Sequence, residues 1–308
     1  MRSLSLATLA LAFIVVVVGA YVRLSDAGLG CPDWPFCYGK PLPAEIADQD
    51  ALAKAWKEMG HRYLAGVLGL CILALAVAGW RTRRNALLAT ALVAVVIFQA
   101  TLGMWTVTML LKPAIVTAHL LGGMLTLGLL AWLALSQFRH AEEPRMRGLR
   151  VVAAAALAAV VVQVALGGWV SANYAALACP DLPLCKGEAV PPMDFGNAFH
   201  VLRELGQTAQ GELLSLEALT AIHWSHRVFA LVALGAVLIA IFHAFRVDRA
   251  LALVIGTLVV AQFGLGVANV ALSLPLPLAA AHNGGAALLL VSLVVLNFFS
   301  FRGLRFSR

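Results

Sequence analysis

The stretch GAYVRLSDAGLGCPDWPFC at residues 19–37 is written again, with substitutions, as GGWVSANYAALACPDLPLC at 167–185. In both copies a glycine stands 12 residues ahead of the first cysteine, and the cysteine pair reads CPDxPxC. Working outward, HRYLAG at 61–66 returns as HRVFAL at 226–231. QATLGMWTVTMLLKPAIVTAH at 99–119 returns as QFGLGVANVALSLPLPLAAAH at 262–282, with glutamine and histidine 20 residues apart each time. Landmarks recurring in the same order mark a duplicated unit. The copies span 1–140 and 150–308, and the loop 139–150, with Glu142, Glu143, Pro144 and four arginines, reads as the linker.

What each unit is made of follows from composition. The 308 residues are 62% hydrophobic and 12% charged, with a mean hydropathy of +0.90. A soluble globular chain carries about 45–50% apolar and about 25% charged residues. The surplus requires an apolar solvent, which a bilayer supplies. Apolar runs long enough to cross one occur at about 4–22, 60–80, 86–109, 114–137, 151–171, 220–244, 250–273 and 278–300. Arg2 ahead of the first run suggests a signal peptide, but the run exceeds a typical signal core and no A-x-A-like cleavage site follows, so an uncleaved span is expected. The fold class is therefore an all-α polytopic membrane protein: eight transmembrane helices in two tandem four-helix bundles. An even number of spans per unit inserts both copies the same way up, so a pseudo-two-fold axis along the membrane normal is expected.

Orientation follows from the arginines. Arg2, the RTRR turn at 81–84, the 139–150 segment, Arg246, Arg249, Arg302, Arg305 and Arg308 supply 13 of the 22 Lys and Arg residues, all on one side. The positive-inside rule places that side, and both termini, in the cytoplasm. The loops 23–58 and 172–219 then face outward. The net charge of +7 is spread between apolar runs and forms no single patch for nucleic acid. Four of the five cysteines, Cys31, Cys37, Cys179 and Cys185, lie in the outward loops, where disulfides persist. They read either as two structural disulfides or as redox-active pairs. Cys71, inside the second span, reads as a packing residue.

The histidines carry the chemistry. His61 and His226 open the second helix of each unit, each followed by an arginine, and His119 and His282 open the fourth, just past Pro113 and Pro277. Each unit thus presents two imidazoles at similar depth beneath the outer surface. A single histidine near a helix end is ordinarily an interfacial residue, but a pair repeated at 58 and 56 residues' separation points to ligation. Haem iron takes axial imidazoles; zinc would require a further ligand cluster. Gly122, Gly123, Gly284 and Gly285 are expected to make room for the macrocycle, and Arg62 and Arg227 to pair with propionates. His140 and His243 are expected to face solvent, and His200 has no counterpart. Glu58 in the first unit stands where His223 stands in the second, and its i, i+3 spacing turns it toward the same pocket as His61.

The residues ExxHR at 58–62, TAH at 117–119, HWSHR at 223–227 and AAHNGG at 280–285 together resemble the haem A synthase family, over nearly the whole chain. The likeness is to the bacterial eight-helix type, which is related to the mitochondrial enzyme. The resemblance implies oxidation of a methyl group of haem O to a formyl group by successive O2-dependent hydroxylations, yielding haem A for terminal oxidases. It implies a substrate haem held by His61 and His119, a resident haem B held by His226 and His282, and a substrate-side role for Glu58. It further implies the bacterial inner membrane, periplasmic cysteine loops, a haem O synthase as supplier and an electron donor in the same membrane. Three rivals stand beside it: a non-enzymatic dihaem electron carrier of the cytochrome b type, a quinone-linked thiol oxidase, and a transporter.

Overall fold

The computed structural model describes residues 1–43, 46 and 48–306; Arg308, counted above with the inner arginines, lies outside the described residues. Eight helices among them are long and apolar enough to cross a membrane. They are α1 (Arg2–Leu24), α2 (Gln49–Thr82), α3 (Ala86–Thr108), α4 (Pro113–Leu135), α5 (Arg150–Ala172), α7 (Leu216–Ala244), α8 (Arg249–Ala271) and α9 (Leu276–Arg302). A short α6 (Phe195–Ala198) interrupts the long loop between α5 and α7. The chain is an all-α polytopic membrane protein.

Each set of four helices closes on itself. α1 packs on α2 and α4, and α3 on α2 and α4; α5 packs on α7 and α9, and α8 on α7 and α9. The two rings meet through α4 against α5 and α9, and through α1 against α9. Exchanging α1 with α5, α2 with α7, α3 with α8 and α4 with α9 leaves every one of these neighbour relations unchanged. The fourth helices therefore form the seam. α9 is the most central: 67% of its apolar window is buried, against 17% for the peripheral α3. Within the second ring Asn297 on α9 donates across to the Ala153 carbonyl on α5 at 2.9 Å and back to Leu293 at 2.8 Å.

Local chemistry sets the helix ends. Asp48 caps α2 by accepting from the Asp50 N–H, and Ser215 caps α7 by accepting from Ala218. Both helices begin well outside their apolar runs, so His61 and His226 do not open them but sit about three turns inside. The polar stretch QDALAKAWKE is helical because it is capped and rich in helix formers, which a hydropathy reading cannot register. α4 and α9 are each entered through two consecutive left-handed residues, Leu110 with Leu111 and Ser273 with Leu274. Non-glycine residues pay about 1–2 kcal/mol each for that conformation, and its presence at the same point of both copies sets how the His119 and His282 helices start.

The linker differs from expectation. His140–Glu142 is a strand, β1, paired antiparallel with β2 (Leu304–Phe306), and Pro144–Leu149 is a 3-10 turn. Glu143 holds Arg145 at 3.0 Å and Arg305 at 3.8 Å. His140 is not solvated as expected: its Nε2 lies 2.8 Å from the Leu135 carbonyl, and its ring sits edge-on to Phe298 and Phe299. His243 is exposed, as expected, and so is His200. A three-residue strand has no readable periodicity, so the tie between linker and tail had no sequence signal.

Removing the interhelical bond of Asn297 by substitution with alanine is expected to destabilise the bundle by about 1 kcal/mol. Denaturation of the detergent-solubilised protein reads it out, and an unchanged midpoint would mean that the second ring does not depend on this contact.

Candidate functional site

Each of the four span histidines rests against a glycine of the neighbouring helix. A Cβ at Gly19 on α1 would lie 2.8 Å from the His61 ring, and one at Gly103 on α3 would lie 3.2 Å from that of His119. In the second half the same holds for Gly167 against His226 at 3.1 Å and Gly266 against His282 at 3.2 Å. The glycines thus allow the imidazoles into the helix interfaces. His61 and His119 lie within electrostatic range of each other, and so do His226 and His282. The Nδ1 atoms of His61, His119 and His282 are buried with no protein partner. An orphaned ring nitrogen in an apolar bundle is the donor an axial ligand requires.

Glutamines organise these rings. Gln99 donates to the His119 carbonyl at 2.9 Å. Gln163 donates to the His226 carbonyl and lies 3.1 Å from its Nδ1, and Gln262 lies 3.5 Å from the Nε2 of His282. Gly122 and Gly285 do not open space for a macrocycle, as the sequence suggested; they make room for the Oε1 ends of Gln99 and Gln262. Gly284 instead faces Val17 and Phe13 of α1 at the seam. Among the described residues no cluster of three or more His, Cys, Asp and Glu side chains gathers into a metal site. Each half offers paired imidazoles.

Above each pair sits a disulfide loop. Cys31 is bonded to Cys37 and Cys179 to Cys185, each six residues apart. The aspartate of CPDxPxC shapes the turn: Asp33 accepts from the Tyr38 and Gly39 N–H groups at 2.6 and 2.7 Å, and Asp181 from Lys186 and Gly187 at 2.6 and 2.8 Å. Gly39 and Gly187 have φ of 72° and 79°, which extends the motif to CPDxPxCxG. The N–H donors from Gly187 and Lys186 hold the Asp181 carboxyl below its usual range.

The histidine helices grip these loops. Arg62 donates to the Asp33 and Phe36 carbonyls, both at 2.9 Å. Arg227 donates to Asp181 at 2.7 Å and Leu184 at 3.0 Å. Glu58, 4% exposed, accepts from the Cys31 N–H at 2.8 Å and pairs with Arg62. His223, also 4% exposed, accepts from the Cys179 N–H at 3.2 Å through Nδ1, which leaves the proton of the neutral ring on Nε2. Glu58 and His223 therefore cap the same loop position in the two halves. Sequence reasoning saw the exchange but not the shared bond, because Cys31 and Cys179 are distant in the chain from their acceptors.

Two four-helix bundles of long apolar helices, each with paired imidazoles set against glycines and a disulfide-closed loop tied to the histidine helix, define a polytopic membrane protein with a matched histidine pair in each half. A family model described as cytochrome oxidase assembly protein matches residues 2–294, and the chain belongs to that family. It is 39% identical to a haem A synthase of Shewanella oneidensis, with 95% of this chain and 94% of that protein covered. It is 28% identical to the haem A synthase of Maricaulis maris, covering 92% and 91%. With that of Halalkalibacterium halodurans it shares 27%, covering 70% and 73%.

Replacing Arg227 by Gln is expected to free the second loop, since two charge-assisted bonds of about 1.5–3 kcal/mol each are lost. Limited proteolysis of reconstituted protein should then cut within 180–188 faster by roughly tenfold or more. Equal cutting of the variant and the parent would show that the disulfide alone holds the loop.

Proposed function

We propose that this protein is a haem A synthase, oxidising the methyl group of haem O to the formyl group of haem A. The observation that carries the proposal is the duplicated arrangement of glycine-backed imidazoles, in a chain that matches haem A synthases across its length. In this proposal His61 and His119 hold the substrate haem O in the unit 1–140, and His226 and His282 hold a resident haem B in the unit 150–308. The resident haem supplies one-electron redox chemistry when bound. The chain's own residues orient the rings, keep the span histidines away from water and anchor the outer edge of each site. Arg62 and Arg227 would meet propionates there while gripping the loops; the Nε of Arg227 is buried without a protein partner and is the atom a propionate would satisfy.

Glu58 is the residue proposed to act on the substrate side. Its carboxylate lies one turn outward from His61 and is tied to Arg62, so a proton or a developing positive charge near the ring would be felt by a buried anion. The finer course of the oxidation, successive O2-dependent hydroxylations with electrons from a donor in the membrane, belongs to the same proposal, as does supply of haem O by a haem O synthase. So does the orientation with both termini cytoplasmic and the disulfide loops periplasmic, supported by the arginine distribution and by the disulfides themselves. The exchange-invariant helix neighbours support a two-fold axis along the membrane normal.

One observation favours the dihaem electron carrier instead: Glu58 and His223 make equivalent bonds, so the halves are less different than their sequences imply. Two substitutions separate the readings. Glu58→Gln should leave the protein and its haem B in place and stall haem O conversion; normal haem A content in a strain relying on the variant would refute the role of Glu58. His226→Ala should strip the resident haem and abolish its low-spin absorption bands. An unchanged bound-haem spectrum would remove haem B from the second half.

A further inference from the structure

The two halves end differently on the inner face. In the second half Arg150 lies over the Phe301 ring and donates to the Ser300 and Phe301 carbonyls at 3.4 and 3.1 Å. There the chain continues into β2, whose Arg305 lies 3.8 Å from Glu143. The duplicate positions in the first half are Arg2 and Phe138, and Arg2 lies over the Phe138 ring at 4.1 Å. Beyond Phe138, however, the chain leaves for the linker instead of covering the site. The described residues there frame a polar recess of about 730 Å³ lined by Arg2, Arg84, Asn85, Ser136, Gln137, Phe138 and Arg139, with no acidic side chain among the described lining residues. Asn85 and Ser136 are bonded to each other at 2.8 Å and brace its wall.

A second, apolar groove of about 510 Å³ runs down the outer side of α2. Leu70, Leu73, Ala74, Val77 and Ala78 line it, and Arg81 and Thr82 close its inner end. The Thr82 hydroxyl lies 3.2 Å from the Met1 sulfur, so the groove ends beside the residue preceding Arg2. An open apolar groove along one face of α2 thus ends beside a cluster of guanidinium groups. Scattered inner arginines are ordinarily topology signals; these converge from three helix ends on one concavity that has a hydrocarbon groove attached.

We propose that the recess binds the headgroup phosphate of an anionic phospholipid, with one acyl chain laid along the α2 groove. Planar guanidinium groups suit phosphate oxygens, and basic pockets between helix ends on the inner side are favourable sites for acidic headgroups. The lipid supplies to the arginines of the first half the kind of anionic partner that Glu143 gives to Arg145 and Arg305. The site is independent of the haem chemistry.

Native mass spectrometry of the full-length purified protein, titrated with dioleoyl-phosphatidylglycerol or dioleoyl-phosphatidylcholine, tests this. The parent should retain one phosphatidylglycerol in preference to phosphatidylcholine. Arg2→Gln with Arg84→Gln should weaken that retention by roughly tenfold or more. Arg246→Gln with Arg249→Gln, the same charge change on the same face, should leave it intact. Should the first pair not fold, Arg84→Gln alone carries the same expectation. Equal retention of the two lipids, or equal loss in both double variants, would overturn the site. Displacement of the lipid by excess inorganic phosphate would assign the recess to free anions and overturn the lipid.

Discussion

Everything in this molecule depends on letting an imidazole into a helix interface in an apolar medium. A ring of that size cannot enter a tightly packed pair of helices unless the facing residue has no side chain, and the chain provides a glycine at that point four times. Gly19, Gly103, Gly167 and Gly266 come from the first and third helices of each ring (α1, α3, α5 and α8), and the histidines from the second and fourth (α2, α4, α7 and α9). Polar groups in a bilayer interior are costly and mark function. Four of them, in matched positions and three with a buried ring nitrogen that has no protein partner, make a purely structural role hard to sustain.

The second constraint is the coupling of each site to its disulfide loop. The disulfide loops are not loose covers, because the same helix turn that carries His61 or His226 also carries the residues gripping the loop. Arg62 and Arg227 hold its carbonyls, and Glu58 and His223 accept its first cysteine N–H. Loop and imidazole therefore move as one body. That arrangement gives the disulfides a definite structural task and ties the geometry of the site to an intact outer loop. It also recasts Glu58: a carboxylate can take over a histidine's hydrogen bond while adding a negative charge, so the two halves share a scaffold and differ in electrostatics.

Much of this was legible in the chain. The long apolar runs located the eight spans, since a membrane imposes them, and the repeated CPDxPxC, HR and Gln-to-His segments pointed to the paired helix neighbours seen in the structure. What escaped was whatever depends on contacts between distant segments. The glycines behind the rings lay within the quoted repeats, at Gly19 and Gly167 and four residues past Gln99 and Gln262, yet the more conspicuous Gly-Gly pairs drew attention and instead serve the glutamines and the seam. The helical extension ahead of His61, the strand joining linker to tail and the packing of His140 against phenylalanines have no period or motif to reveal them.

The central claim is that paired imidazoles in both halves hold haem, one resident and one being converted. Chromatographic identification of the haems extracted from purified, full-length protein tests it most directly. Haem B together with haem O, haem A or an oxidation state between them is the expected result. Haem B alone, at two per chain, would contradict it and make both halves cofactor sites of an electron carrier.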